Sequence, residues 1–381
     1  KVSINAIYER LHGSGDGAYG FRNCALLHSD ALSVLFESEG SEDSLLKYNK
    51  TRLFFYPLTV CTVDQLFTFV YKFRGSEIIP AVLKYSRIVI DEIQAYSPDI
   101  AAKLITGLKL IDELGGKFAV ITATMPPMLE DAMRSRGIAY EKPAPFYSPL
   151  TRHHLCISGD EFDVEEIAEK GESAKVLVIC NTVKSACQVY EQLSELTEPR
   201  LLHSRFKLRD RRLLENDIMV FSRSDETGIW VTTQIVEASL DLDFDYLYTE
   251  MCPADNLLQR LGRCYRKRDY CGDGPNVFIH DTGSGVGKVY DREIYARSVE
   301  LLPQYCGRII TEEEKNAYVC AVYDTQALLN TSYYREFRKT LDSLQNLPPA
   351  YFTAEEAREK FRDIVSVSVI DDEDYEEMRS S

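Results

Sequence analysis

A chain of 381 residues, 45% hydrophobic and 27% charged, has room for two domains and an extension, each with its own core. A formal net charge of −16 argues against a globally basic nucleic-acid binder, and no long apolar run or signal-peptide pattern points to a membrane or to secretion. The ten cysteines include no Cys-x-x-Cys pair and sit mostly in apolar runs, which suits reduced core thiols of a cytoplasmic protein. Basic residues gather instead at Arg205 to Arg212 and Arg260 to Arg268, so any polyanion site is expected near those clusters.

In chain order, Ile4, Ile7, Tyr8 and Leu11 fall at helical spacing, with Gly13 as the stop. This element is expected to continue from residues upstream of Lys1. Residues 13 to 50 read as a loop-heavy insertion. Arg52 to Cys61 reads as a strand leading through Thr62-Val63-Asp64-Gln65 into an apolar helix ending near Tyr71. Arg87 to Ile90 is a β-branched run that reads as a buried parallel strand and closes on Asp91-Glu92. Ser97 caps a helix that begins at Pro98 and shows the stripe Ile100, Leu104, Leu108, Ile111 and Leu114. Phe118 to Ile121 is the next strand, delivering Thr122-Ala123-Thr124.

A connection from Pro143 to Pro149 reads as an interdomain linker, with His153-His154 in its neighbourhood. The alternation then restarts. Strands are expected at Lys175 to Cys180, Ile229 to Thr233, Tyr246 to Thr249 and Asn276 to His280, and helices at Ser185 to Leu196 and Pro253 to Arg266. Beyond about 284 the pattern turns helical and ends in the acidic run 371–377. The expected fold class is α/β: two tandem RecA-like P-loop NTPase domains, the first incomplete, with a helical C-terminal extension. Their expected bounds are 1–145, 150–283 and 284–381.

Two stretches carry chemistry. A hydrophobic strand ending in Asp-Glu is how P-loop nucleotidases hold magnesium and polarise an attacking water, although many core strands end in an acid that merely caps a helix. In Gln259-Arg260-Leu261-Gly262-Arg263-Cys264-Tyr265-Arg266, a continuous helix would place Gln259, Arg263 and Arg266 within about 60° of each other. Leu257, Leu258, Leu261 and Tyr265 would pack on the other side. Guanidiniums on a rigid element stabilise charge developing on a transferred phosphoryl group; the plainer alternative is a solvated basic face.

Asp91-Glu92-Ile93-Gln94, Thr122-Ala123-Thr124, Thr232-Thr233-Gln234 through Glu237 to Asp241, and Gln259 to Arg266 follow the order of superfamily 2 helicase motifs II, III, V and VI. With Asn5 to Leu11, Thr59 to Gln65, Leu202 to Phe206 and Glu237-Ala238-Ser239-Leu240-Asp241, the chain resembles the CRISPR-associated helicase of type I interference systems over roughly residues 1 to 300. The resemblance implies an ATP-dependent helicase that translocates on single-stranded DNA with ATP and Mg2+. Its partners would be an RNA-guided surveillance complex and an HD nuclease domain or subunit. By the same resemblance, Asp91 would hold magnesium, Glu92 would orient the water, and Gln94 would bridge to motif VI beside Gln259. Thr122 and Thr124 would couple the lobes. Arg263 and Arg266 would be arginine fingers, and Asp241, with Glu237 and Arg260, would contact the nucleotide. Thr62, Asp64, Gln65, Asn181, Thr182, Arg205 and Thr233 would follow a DNA strand, ordinary helix caps being the alternative for several of them.

No Gly-x-x-x-x-Gly-Lys-Ser/Thr loop occurs in the sequence. Gly283 to Lys288 imitates one, but Thr282 and Val289 stand at two of its required positions. The loop is expected upstream of Lys1, and the 381 residues alone are expected to hydrolyse little ATP. His280-Asp281 and His153-His154 lack the spacing of a di-metal nuclease. Two rival readings stand: another superfamily 2 helicase acting on RNA or DNA, and a non-hydrolysing nucleic-acid-binding scaffold.

Overall fold

The computed structural model describes residues 2–12, 20, 23–29, 31–32, 35, 41–237 and 240–361. The Gly-rich stretch 13–19, Ala238, Ser239 and the acidic run 371–377 lie outside them.

Among the described residues the strands form three sheets. β1 (Cys24–Leu27) and β2 (Leu58–Cys61) pair in parallel, as do β3 (Arg87–Asp91) and β4 (Lys117–Ile121). The third sheet contains β5 (His153–Ile157), β6 (Lys175–Ile179), β7 (Arg200–Leu202), β8 (Gly228–Thr232), β9 (Tyr246–Glu250), β10 (Val277–His280) and β11 (Ile309–Ile310). Its order is β11-β5-β10-β9-β6-β8-β7, and all pairs are parallel except β11 with β5. The chain is thus α/β with strands and helices alternating, as the hydrophobic pattern implies.

β6 lies inside the sheet between β9 and β8 and is apolar on both faces: Val176, Leu177, Val178 and Ile179 are fully buried. β3 differs from the doubly buried strand expected. Ile88 and Ile90 are buried, whereas Val89 is 63% exposed and Ile121 of β4 57% exposed, so one face of this pair is open. The helix Pro98–Glu113 closes the other face, and the Ser97 hydroxyl accepts from Ile100 N–H at its start.

Three segments depart from the sequence reading for visible reasons. The predicted insertion 13–50 contains β1 and the helix Ser41–Thr51, one too short and the other too polar to stand out. The strand expected from Arg52 starts only at Leu58, because Phe54 takes a left-handed φ of 52° and Pro57 has no N–H to donate to a ladder. The helix expected to reach Arg266 spans Ala254–Leu261. Its continuation is drawn out by Phe244, whose N–H donates to Arg263 O (2.9 Å) and whose carbonyl accepts from Tyr265 N–H (3.1 Å), with Tyr265 at φ 47°.

His153 and His154 belong to β5, not to a linker, and the His153 ring is buried. The C-terminal helices serve both halves. Arg292–Leu301 and Glu312–Val322 pack beside the seven-stranded sheet, while Ser332–Gln345 lies along Pro98–Glu113. Lys103 of that last helix is buried and donates to the carbonyls of Lys360 (2.7 Å) and Phe361 (2.8 Å), at the end of helix Ala354–Phe361. One hydrophobic cluster consequently runs from Phe67 and Leu104 through Leu257 to Phe337 and Phe361.

Candidate active site

Parallel α/β sheets present ligands at the carboxyl ends of their strands. Asp91 stands at that end of β3, exposed and, among the described residues, without a side-chain hydrogen bond or ion pair. Glu92 follows at φ 51°, a backbone that costs a non-glycine residue roughly 1–2 kcal/mol. Its N–H is tied to Ile121 O at 2.8 Å. Burial pushes the Glu92 carboxyl above the ordinary glutamate range; the Gln94 amide draws it back, and the neighbouring Asp91 charge pushes it up again.

Gln94 Nε2 donates to the Glu92 carboxylate, and Gln94 Oε1 accepts from Thr122 Oγ1 at 2.5 Å. Thr122 Oγ1 in turn accepts from Thr124 N–H at 3.2 Å. Gln94 therefore joins the acid pair to the Thr122–Thr124 turn, where a bridge to the Gln259–Arg266 segment was expected. The two halves meet by packing instead: helix Ala254–Leu261, which carries the half-buried Gln259, lies against the turn Ile93–Ala95 directly after the acid pair.

The arginines of that helix and its exit have separate fates. Arg260 is 0% exposed and bonded all round: Nε to Glu237 Oε1 (2.7 Å), Nη1 to Thr249 Oγ1 (2.7 Å), and Nη2 to Asn181 Oδ1 (2.9 Å) and Tyr290 Oη (2.8 Å). Glu237 also accepts from Asn256 Nδ2 at 2.9 Å. Arg260 and Glu237 are thus an internal pair, with no donor left to face the nucleotide that the sequence assigned to them.

Arg263 is buried and donates to the carbonyls of Glu237 and Leu240. Burial, and then the charge of Arg266, lower its pKa to about 10, which leaves it protonated at neutral pH. Arg266 Nε pairs with Asp241 Oδ1 at 2.8 Å. Burial works against the Asp241 charge, but Arg266 and Lys267 together hold its carboxyl below the ordinary range. In this conformation Asp241 is consequently occupied by cations of its own chain, not free for a ribose.

The expected strand-tracking residues also divide. Asn181 is buried, its amide donating to Met251 O (2.8 Å) and Ser284 O (2.9 Å), and Thr182 caps the helix Val183–Ser194 by accepting from Ser185 N–H at 3.1 Å. Both leave the groove assignment for structural ones. Thr233 is buried as well. Arg205 is exposed beside the stacked pair His203 and Phe206. The Thr62 hydroxyl is buried with no hydrogen-bond partner among the described residues. Asp64 and Gln65, bonded to each other at 2.9 Å, line a cavity of about 310 Å³ with Arg52, Thr68 and Arg358.

A family model for the C-terminal part of the CRISPR-associated nuclease/helicase Cas3 matches residues 172–269. The CRISPR-associated nuclease/helicase Cas3 of Methanothermobacter thermautotrophicus is 29% identical over 406 residues, covering 97% of this chain and 47% of that protein. Over nearly its whole length the chain is similar to Cas3 nuclease/helicases. The crystal structure of T. fusca Cas3-AMPPNP shares the fold at a TM-score of 0.70 and 21% identity, over 91% of this chain and 48% of that one. A CRISPR RNA-guided surveillance complex, pre-nicking, contains a chain of the same fold at a TM-score of 0.62 and 20% identity, over 86% of this chain and 49% of its own. The chain therefore spans about half the length of these Cas3 relatives. Its fold is the tandem RecA-like α/β arrangement of the Cas3 helicase core.

Proposed function

We propose that this chain is the two-lobed motor of a Cas3 interference helicase, which binds ATP between the lobes and uses its hydrolysis to move along single-stranded DNA. The lobes are residues 1–145 and 150–283, with 284–381 as an accessory region. The observation that carries the reading is the packing of helix Ala254–Leu261 against the turn after Asp91-Glu92, which supports a nucleotide site with carboxylates on one wall and arginines on the other.

The fit to Mg2+ is good. An exposed carboxylate without a partner among the described residues suits an ion that keeps several waters and takes one or two carboxylates plus substrate phosphates. Asp91 would hold it; when bound, it neutralises charge building on the transferred phosphoryl group. Glu92, made more basic by burial, orients and polarises the attacking water, and Gln94 keeps it in register with Thr122 and Thr124. Arg263 exchanges its two carbonyl partners for the γ-phosphate. At 4 Å and an effective dielectric near 20, each phosphate charge offers about 4 kcal/mol of attraction that a carbonyl lacks. Arg266 would be released from Asp241 in the same step.

Thr62, Gln65 and Arg205 are the residues that support contact with a DNA backbone, a mode that needs donors rather than a large positive net charge. The similarity to a chain of a CRISPR RNA-guided surveillance complex and to a nuclease/helicase supports such a complex and a nuclease as partners here.

The test is ATP hydrolysis stimulated by single-stranded DNA, with the chain joined to a segment bearing Gly-x-x-x-x-Gly-Lys-Ser/Thr. Stimulated turnover is expected, falling by about 10³-fold or more in Asp91→Ala and in Arg263→Ala, and negligible without the phosphate loop or with the metal chelated. DNA binding without turnover in the joined protein would favour the scaffold reading instead.

A further inference from the structure

The segment that carries Arg263 and Arg266 is not helical, so something else must fix it. Its carbonyls show what does. Arg263 O is held by Phe244 N–H. Cys264 O faces His153 Nε2 at 2.8 Å, and Arg266 O accepts from Arg152 Nη1 at 3.0 Å. Arg152 and His153 are neighbours at the start of β5, more than a hundred residues before the turn they grip. Between their two targets lies Tyr265, in the left-handed region.

Neither gripping residue is positioned by β5 alone. Lys315 Nζ donates to His153 Nδ1 at 2.7 Å, so that nitrogen carries the lone pair and the ring proton sits on Nε2, aimed at Cys264 O. Burial and the Lys315 ammonium keep the ring neutral. Glu312 accepts from both Lys315 and Arg152 and fixes the guanidinium that reaches Arg266 O. Burial opposes the Glu312 charge, yet its two cations hold it below the ordinary range. Glu312 and Lys315 lie on the first turn of helix Glu312–Val322, beyond the last expected motif, and touch neither arginine side chain.

We propose that Glu312 and Lys315 are positioning residues for the arginine turn, acting through Arg152 and His153, so that the helical extension sets the placement of Arg263 and Arg266. This rests on the reading of those arginines as the cationic wall of the nucleotide site. An extension that merely filled space would need apolar contacts, not a chain of four polar side chains, two buried and two half-buried, ending on two carbonyls of one turn. Any partner that displaced helix Glu312–Val322 would loosen the arginines without touching the nucleotide.

Hydrogen exchange at the amides of Tyr265 and Arg266 in the 381-residue chain reads the turn directly. Lys315→Met is expected to speed exchange there by about tenfold or more while the interior strands β6 and β8 stay unchanged. In the turnover assay above, the same variant is expected to lower kcat by about ten- to a hundredfold with KM for ATP within about twofold. His153→Gln, which keeps a donor for Cys264 O, should retain most of the rate, and His153→Leu should not. Glu312→Gln provides the same readings should Lys315→Met fail to fold. Unchanged exchange and unchanged kcat in Lys315→Met and Glu312→Gln would overturn the inference. If Arg263→Ala and Arg266→Ala leave kcat intact, the arginine reading itself falls, whatever the exchange shows.

Discussion

The acid half and the arginine half of the candidate site are built in opposite ways. Asp91 ends a strand in a two-stranded pair whose outer face shows Val89 and Ile121 to solvent, and it has no side-chain partner among the described residues. Arg260 and Arg263 sit beside the wide seven-stranded sheet, and both are buried and bonded to named atoms of their own lobe. The difference teaches where each half spends its chemistry. Asp91, the carboxylate that would meet a hydrated cation, is left open to solvent, which satisfies an unpaired charge at little cost. Arginines are pre-organised by their own chain, since an uncompensated buried guanidinium would be far costlier than an exposed carboxylate.

The largest expected effect breaks that contrast. Arg260→Ala leaves the buried Glu237 carboxylate without its cation and should cost about 3–5 kcal/mol in denaturant unfolding of the chain. Asp91→Ala should stay within about 0.5 kcal/mol while abolishing turnover. Equal stability losses in the two variants would mean the halves are not built differently.

Packing gives the next test. A Cβ on Gly171 would come within 2.5 Å of Ile229 Cγ1, so Gly171→Ala should destabilise by about 1–3 kcal/mol. Val89→Thr, on the open face of β3, should be close to neutral. Thermal melts of the two variants side by side would decide it.

The support of the arginine turn can be sharpened through its helix cap. Thr311 and Glu314 form a capping box at the start of helix Glu312–Val322, and Thr311→Ala should cost about 1 kcal/mol. Hydrogen bonds from Arg308 first, then from Thr311, hold the Glu314 carboxyl down to about 2. Its contribution is therefore complete above the ordinary glutamate value of 4.5 and is lost as pH falls toward 2. An acid titration of stability in Glu314→Gln should lack that loss.

The smallest effect concerns Glu92. A glutamate raised by burial loses its charge at a higher pH than an exposed one, so turnover should fall on the acid side earlier than an ordinary carboxylate would dictate. Gln94 lowers that pKa by donating to the carboxylate, so Gln94→Ala should move the acid limb to still higher pH. A limb that stays put or moves down would remove Glu92 from the role given to it.

Much of this was legible in the chain itself. The β-branched run ending at Asp91-Glu92, the Ser97-Pro98 helix start and the ordered motifs identify an α/β helicase core, because strand ends, caps and helix stripes depend on neighbours a few residues away. The pairing of Gln94 with Thr122, across 28 residues, was placed elsewhere by the sequence. The helix reading of Gln259 to Arg266 failed because hydrogen bonds to Phe244 at its exit outweigh a helical pattern. Periodicity could not register that competition.

What the sequence determined is therefore the inventory: two carboxylates at a strand end and arginines after a leucine-rich helix. What only the tertiary structure decided is which members of the inventory are free to act. Asp91 is open, Arg260 and Asn181 are consumed as framework, and Arg263 is held by the carbonyls of Glu237 and Leu240, while Arg152 and His153 grip the turn that follows it. The reason is physical. A buried polar group must be paired, and its partner is set by which segments a fold brings within about 3 Å, a distance unrelated to separation along the chain.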